Sequence, residues 1–161
     1  MICNSKHNKK TMKIYFAHPC FTDKQREFKK IFLDNLTDAL SHKNDITIID
    51  PFEYSPNIEG DIKTKLKMAA RVKNECIRLL EEADIVIALV DDNDTGTAFE
   101  AGYAHALNKP LILISRGNCS AANAMLIGAA GNMFDNVLEE EQFRQFNGLI
   151  IRLLDGATRP C

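Results

Sequence analysis

Two short apolar runs fix most of what this chain can become. "DIVIALV" (84–90) and "LILIS" (111–115) are apolar almost without alternation, the pattern of strands covered on both faces. The segment between them, "DDNDTGTAFEAGYAHALNKP" (91–110), opens as an acidic loop. It continues as a helix over about 97–108 and stops at Lys109-Pro110. Two buried strands joined through a helix run parallel, and the crossover is right-handed.

The rest of the chain repeats the unit. "KIYFA" (13–17) is a β-branched and aromatic strand, followed by the loop "HPCF" and a helix opened by Thr22 with Gln25 three residues on, a capping box. Phe28, Ile31, Phe32, Leu36, Ala39 and Leu40 recur on one face of that helix, leaving Lys24, Arg26, Lys29 and Lys30 to solvent. "ITIID" (46–50) is a strand ended by Pro51, 52–60 is a loop, and 61–82 is a long charged helix. Helices near 120–130 and 139–154 flank a short fifth strand around 133–137. The expected fold is therefore α/β: a five-stranded parallel sheet with helices on both faces, in one domain over 12–161 behind a polar extension at 1–11. Open sheets of this kind bind ligands beyond the carboxyl ends of their strands. That selects the loops 18–22, 51–60, 91–97 and 116–122.

A net charge of −2, from 20 Lys+Arg against 22 Asp+Glu, offers no basic field for nucleic-acid polymers. The longest apolar run is too short to span a bilayer and "MICNSKHNKKT" lacks the apolar core of a signal peptide, so no membrane partner and a cytoplasmic location are expected. The five cysteines are scattered without metal-ligand spacing, so reduced thiols and no metal are expected. No cofactor motif is present: there is neither a GxGxxG nor a P-loop lysine.

Glu100 is the oddity, a carboxylate among Ala98, Phe99, Ala101, Gly102, Tyr103 and Ala104. It completes a capping box with Thr97. Yet its helical neighbours Tyr103, Ala104 and Leu107 are apolar or aromatic, which turns it toward the core side at a strand's carboxyl end, where a carboxylate serves as a nucleophile. Asp91, Asp92 and Asp94 form either a ligand-binding loop or a solvated turn, with Gly96 allowing a tight backbone. His18 and Cys20 read as loop structure, having no third member for a triad. Tyr15 is a core tyrosine whose hydroxyl can orient a carboxylate. Arg116-Gly117-Asn118 reads as a surface turn.

Three segments, "KIYFAHPCFTDKQ" (13–25), "NECIRLLEEADIVIALVDDNDTGTAFEAGYAHALNKPLILI" (74–114) and "NAM" (123–125), resemble the nucleoside 2-deoxyribosyltransferases in order and spacing. The resemblance spans roughly 13–137 and implies a flavodoxin-like (Rossmann-like) three-layer fold. It also implies transfer of a deoxyribosyl group between bases, with nucleosides and free nucleobases as partners. By position, Glu100 matches the nucleophile, Tyr15 the residue that orients it, and Asp94 the aspartate that binds a sugar hydroxyl. Asn123 matches an asparagine offered by a neighbouring subunit, so a homo-oligomer is implied, and Phe21, Gly96 and Phe52 fall on substrate-binding loops.

One position departs from the family. Eight residues before Asp84, where the family commonly places a base-handling aspartate, stands Cys76. A thiol is a poor acid there. Two rival readings follow. One is an N-glycosidase acting on deoxynucleoside 5′-monophosphates, disfavoured by the glycine-free loop "HPCFTDKQ". The other is a non-catalytic nucleoside-binding domain, disfavoured by retention of a nucleophile.

Overall fold

The structure is a computed structural model that describes residues 11–54 and 60–157. The expected extension at 1–11, apart from Thr11, and the middle of the 52–60 loop lie outside the described residues. The elements alternate as β1 (Met12–Ala17), α1 (Asp23–Leu40), β2 (Ile46–Ile49), α2 (Ile62–Glu82), β3 (Ile85–Leu89), α3 (Thr95–Ala106), β4 (Leu111–Ile114), α4 (Ala124–Ala129), β5 (Asn132–Phe134) and α5 (Glu140–Ala157). Single 3-10 turns occupy Pro51–Glu53 and Cys119–Ala121. All strand pairs are parallel, in the order β2-β1-β3-β4-β5, the flavodoxin-like arrangement. The order reverses between β1 and β3, so a crevice opens where their carboxyl ends diverge.

The period of two along each strand sorts side chains into two cores. Ile14, Phe16, Ile85, Ile87, Leu89, Ile112 and Ile114 pack with Phe28, Phe32 and Leu36 of α1 and Phe146, Ile150 and Leu154 of α5. Tyr15, Ala17, Val86, Ala88, Leu111 and Leu113 pack with Leu79 and Leu80 of α2 and Ala101 and Ala104 of α3. Fully burying each large apolar side chain contributes roughly 1.5–3 kcal/mol, and this sets the register. The small residues on the second face, Ala17 and Ala88 against Ala101 and Ala104, let α3 lie close to the sheet. Tyr15 is the large polar-tipped residue there, and parity alone delivers it to α3. No described helix is long and apolar enough to cross a membrane.

Local chemistry corrects several expectations. The Thr22–Gln25 capping box forms as read. The Thr97–Glu100 box does not, because α3 starts two residues earlier with Asp94 as its N-cap, accepting from the Thr97 N–H at 2.7 Å. Thr97 is thereby drawn into the helix, buried, with its hydroxyl unpartnered. Nor does Gly96 turn the chain: the left-handed residue is Asn93, at φ 47°. Gly96 supplies space, since a Cβ there would stand 3.0 Å from the capping oxygen of Asp94. The helix expected at 120–130 divides into the 119–121 turn and α4, because Asn118 and Asn123 each cap a separate start. β5 ends earlier than expected, at Phe134.

Asp91 and Asp92 are more than a solvated turn. Asp91 accepts from Ser115 Oγ at 2.9 Å and the Arg116 N–H at 2.8 Å. Asp92 accepts from Gln25 Nε2 at 2.9 Å and Arg116 Nη2 at 2.8 Å. Together they tie the loop after β3 to the loop after β4 and to the head of α1. Asp91→Ala strips the fully buried Ser115 and the Arg116 amide of their acceptor, and is expected to cost about 1–3 kcal/mol in urea unfolding. Asp92, whose side chain is 39% exposed, is expected to cost under about 1 kcal/mol on truncation. Equal costs would contradict this division of labour.

Candidate active site

Four side chains from three elements converge beneath the crevice. Tyr15, fully buried near the end of β1, donates its hydroxyl to Glu100 Oε1 at 2.6 Å. Glu100 lies midway along α3 on the side turned toward the sheet, as its apolar neighbours require. Cys76 reaches in from α2, its thiol within hydrogen-bonding reach of both partners. Asp94 stands at the head of α3, near enough for its charge to act on Glu100.

The electrostatics follow from desolvation. Burial is the largest influence on the Glu100 carboxyl and raises its pKa above the ordinary carboxylate range; the Tyr15 hydrogen bond, Cys76 and the charge of His18 act in the opposite direction. Tyr15 is raised too, first by burial and then by the adjacent carboxylate, so it remains a protonated donor. A short O–H···O⁻ contact in such surroundings is a strong hydrogen bond that fixes carboxylate orientation.

Behind this pair lies a cluster that the sequence reading passed over. His18 and Asp50 are each 3% exposed. His18 Nε2 faces Asp50 Oδ1 at 3.1 Å, and Lys29 Nζ donates to Asp50 Oδ2 at 2.9 Å. Burial alone would raise the Asp50 pKa, but bonds from His18, Lys29 and the Phe52 N–H outweigh it and hold the carboxyl at about 2. Lys29 is therefore not a solvated helix lysine; Asp50 draws it inward and raises its pKa, against the lowering effect of burial. The available signal was an acid at a strand's carboxyl end, immediately before Pro51, which periodicity cannot distinguish from a loop residue.

The aromatic residues of these loops stack in series. The His18 ring lies 4.5 Å from Phe16 and 5.2 Å from Phe52, and Phe52 meets Phe21 edge-on at 6.0 Å. Phe21 and Phe52 are 68% and 38% exposed, an open aromatic ledge at the crevice mouth. Tyr15, Cys76, Asp94 and Glu100 are thus assembled in one place, and Phe21 and Phe52 stand together beside His18. Gly96 serves the Asp94 cap. Asn123 is exposed, and its side chain caps α4 by accepting from the Met125 N–H at 2.9 Å. Among the described residues no group of three or more His, Cys, Asp or Glu is arranged to hold a metal ion.

Chemically, a desolvated carboxylate anchored by a phenol, next to a capped aspartate and an aromatic ledge, suits attack on an electrophilic carbon of a ligand with hydroxyls at one end and a flat ring at the other. The groups touching the carboxylate, a phenol and a thiol, are weak acids.

The sequence model of the nucleoside 2-deoxyribosyltransferase family matches residues 14–145. No curated protein gives a significant match. Among solved structures, a 2-deoxyribosyltransferase from the psychrotolerant bacterium Bacillus psychrosaccharolyticus is 28% identical with a TM-score of 0.60, covering 76% of this chain and 85% of its own. A conserved protein from Enterococcus faecalis, 20% identical, gives a TM-score of 0.61 over 83% of this chain and 99% of its own. The CMP N-glycosidase of Clostridium botulinum, 19% identical, gives 0.54 over 86% and 98%. The last two share the fold. With the family's sequence model covering most of the chain, the chain belongs to the nucleoside 2-deoxyribosyltransferase family and is a pentosyltransferase.

Proposed function

We propose that the protein exchanges the base of 2′-deoxynucleosides through a covalent glycosyl-Glu100 intermediate. The observation that carries this is the Tyr15–Glu100 hydrogen bond in a desolvated crevice. Glu100 attacks C1′, and the electron pair of the N-glycosidic bond leaves with the base. An acceptor base then attacks C1′ of the glutamyl ester and releases the carboxylate, so two inversions give net retention. Water in place of the acceptor gives hydrolysis. Tyr15 holds the attacking group, and Asp94, whose Oδ2 is taken by the Thr97 N–H, presents its other oxygen to a sugar hydroxyl. Phe21 and Phe52 flank the base. Cys76 stands beside the reacting carboxylate as a weak acid, so the departing base takes its proton from solvent.

Nucleosides rather than nucleotides are favoured because three cations near the crevice are already committed. Lys29 is bound to Asp50, Arg116 to Asp92, and Arg26 to Asp23 and the carbonyls of Cys20 and Phe21. A 5′-phosphate would have to break one of these pairs. The substrates are those of purine and pyrimidine salvage, and we place the enzyme in the cytoplasm.

Incubation with 2′-deoxyinosine or thymidine plus a free acceptor base is expected to yield the exchanged nucleoside by chromatography. Glu100→Ala is expected to lower the rate by at least about a thousandfold, and Tyr15→Phe by roughly tenfold or more. Because the Glu100 pKa is raised, kcat/KM is expected to fall with decreasing pH through a midpoint above the ordinary carboxylate range. Exchange that survives Glu100→Ala sinks the mechanism, and cleavage of monophosphates but not nucleosides overturns the substrate assignment.

A homo-oligomer is supported by apolar side chains on the outer face of α2–α4: Ile62, Leu66, Phe99 and Met125 are 72%, 66%, 52% and 82% exposed. Asn123 adjoins this face. We place a second copy of the chain on it, with Asn123 offered to the neighbour's sugar. Sedimentation is expected to give a dimer or larger species that Met125→Glu weakens. A monomer that exchanges bases at full rate would contradict it.

A further inference from the structure

Phe21 and Phe52 are exposed, so neither ring is clamped by packing on all sides. Each is placed through its backbone instead. The Phe52 N–H donates to Asp50 Oδ1 at 3.0 Å, and the Asp50 carbonyl accepts from the Glu53 N–H at 3.1 Å, so Asp50 closes the Pro51–Glu53 turn at its start. The Phe21 N–H donates to Gln25 Oε1 at 2.7 Å, and Gln25 Nε2 donates in turn to Asp92 at 2.9 Å. Arg26 adds a contact to the Phe21 carbonyl from the exposed side. Asp50 and Gln25 are both buried, so water competes little for the bonds they make. Asp50 is anchored in its turn: Lys29 Nζ donates to Oδ2 at 2.9 Å, and the His18 ring, with Nε2 3.1 Å from Oδ1, lies 5.2 Å from the Phe52 ring.

The two rings meet at 79° with centroids 6.0 Å apart. They form a corner in which a flat heteroaromatic ring lies face-on to one wall and edge-on to the other. Strand register ties this corner to the reacting pair, because Tyr15 is paired with Ile49, the residue before Asp50. We propose that Asp50 and Gln25 are positioning residues that hold Phe52 and Phe21 as a rigid corner for the nucleobase, and that this rigidity favours transfer to an acceptor base over hydrolysis. The inference rests on the reading that the two rings flank the base. An acceptor base must be oriented before it attacks C1′ of the glycosyl-enzyme, and ordering a mobile ring at that moment lowers its affinity. Water attacks the same carbon without using the corner.

Asp50→Ala and Gln25→Ala each release one ring's N–H. With a deoxynucleoside donor at saturation and the acceptor base varied, each is expected to raise the acceptor KM roughly three- to tenfold and to lower the ratio of transfer to hydrolysis by a similar factor below saturation. Both products come from one glycosyl-enzyme, so a merely structural role lowers them together and leaves their ratio unmoved. An unmoved ratio in either variant overturns the proposal, and either variant decides where the other fails to fold. Phe52→Leu, which shortens an exposed ring, separates the inference from the reading beneath it. A lowered ratio in Phe52→Leu beside an unmoved one in Asp50→Ala and Gln25→Ala overturns the inference alone. An unmoved ratio and acceptor KM in Phe52→Leu would instead remove the reading that the rings flank the base.

Discussion

The site depends on one contact: a carboxylate taken partly out of water and held by a tyrosine hydroxyl. Desolvation makes Glu100 both costly and reactive, and without a donor it would protonate or swing toward solvent. Tyr15 prevents both. The remainder of the fold can be understood as the machinery that brings these two groups to 2.6 Å across 85 residues of sequence. β1 must be central, so that alternate residues enter two different cores. α3 must lie close to the sheet, which Ala101 and Ala104 permit, and its start must be fixed, which Asp94 does with the space that Gly96 leaves.

The acids of the 91–110 segment divide the labour. Asp91 and Asp92 fasten the strand-end loops to one another, Asp94 starts the helix, and Glu100 faces the crevice. One helix start therefore sets both ends of the site: the cap that begins α3 also fixes where Glu100 meets Tyr15.

The sheet was legible because fully buried parallel strands carry a signature that survives without neighbours: "DIVIALV" and "LILIS" permit no other reading. Glu100 and Tyr15 were legible for the same reason, since helical spacing and strand parity each pointed them inward. What escaped were features set by tertiary company. Thr97–Glu100 satisfies a capping pattern, but Asp94 wins because its carboxylate reaches the Thr97 N–H once the missing Cβ of Gly96 makes room. Lys29 looked solvated, and Asp50 passed as the last residue of a strand, because local sequence does not reveal that His18 will lie across from Asp50. Asp91 likewise acquires its role from Ser115 and Arg116, a strand away.

The central claim is a covalent bond between Glu100 and C1′. A deoxynucleoside bearing fluorine at C2′ and a good leaving base tests it most directly, because the electron-withdrawing fluorine slows turnover of the intermediate more than binding. Proteolysis and mass mapping of the trapped protein are expected to locate one added fluorodeoxyribosyl group on the peptide containing Glu100. Release of the base with no adduct, or an adduct on a different residue, would contradict the account.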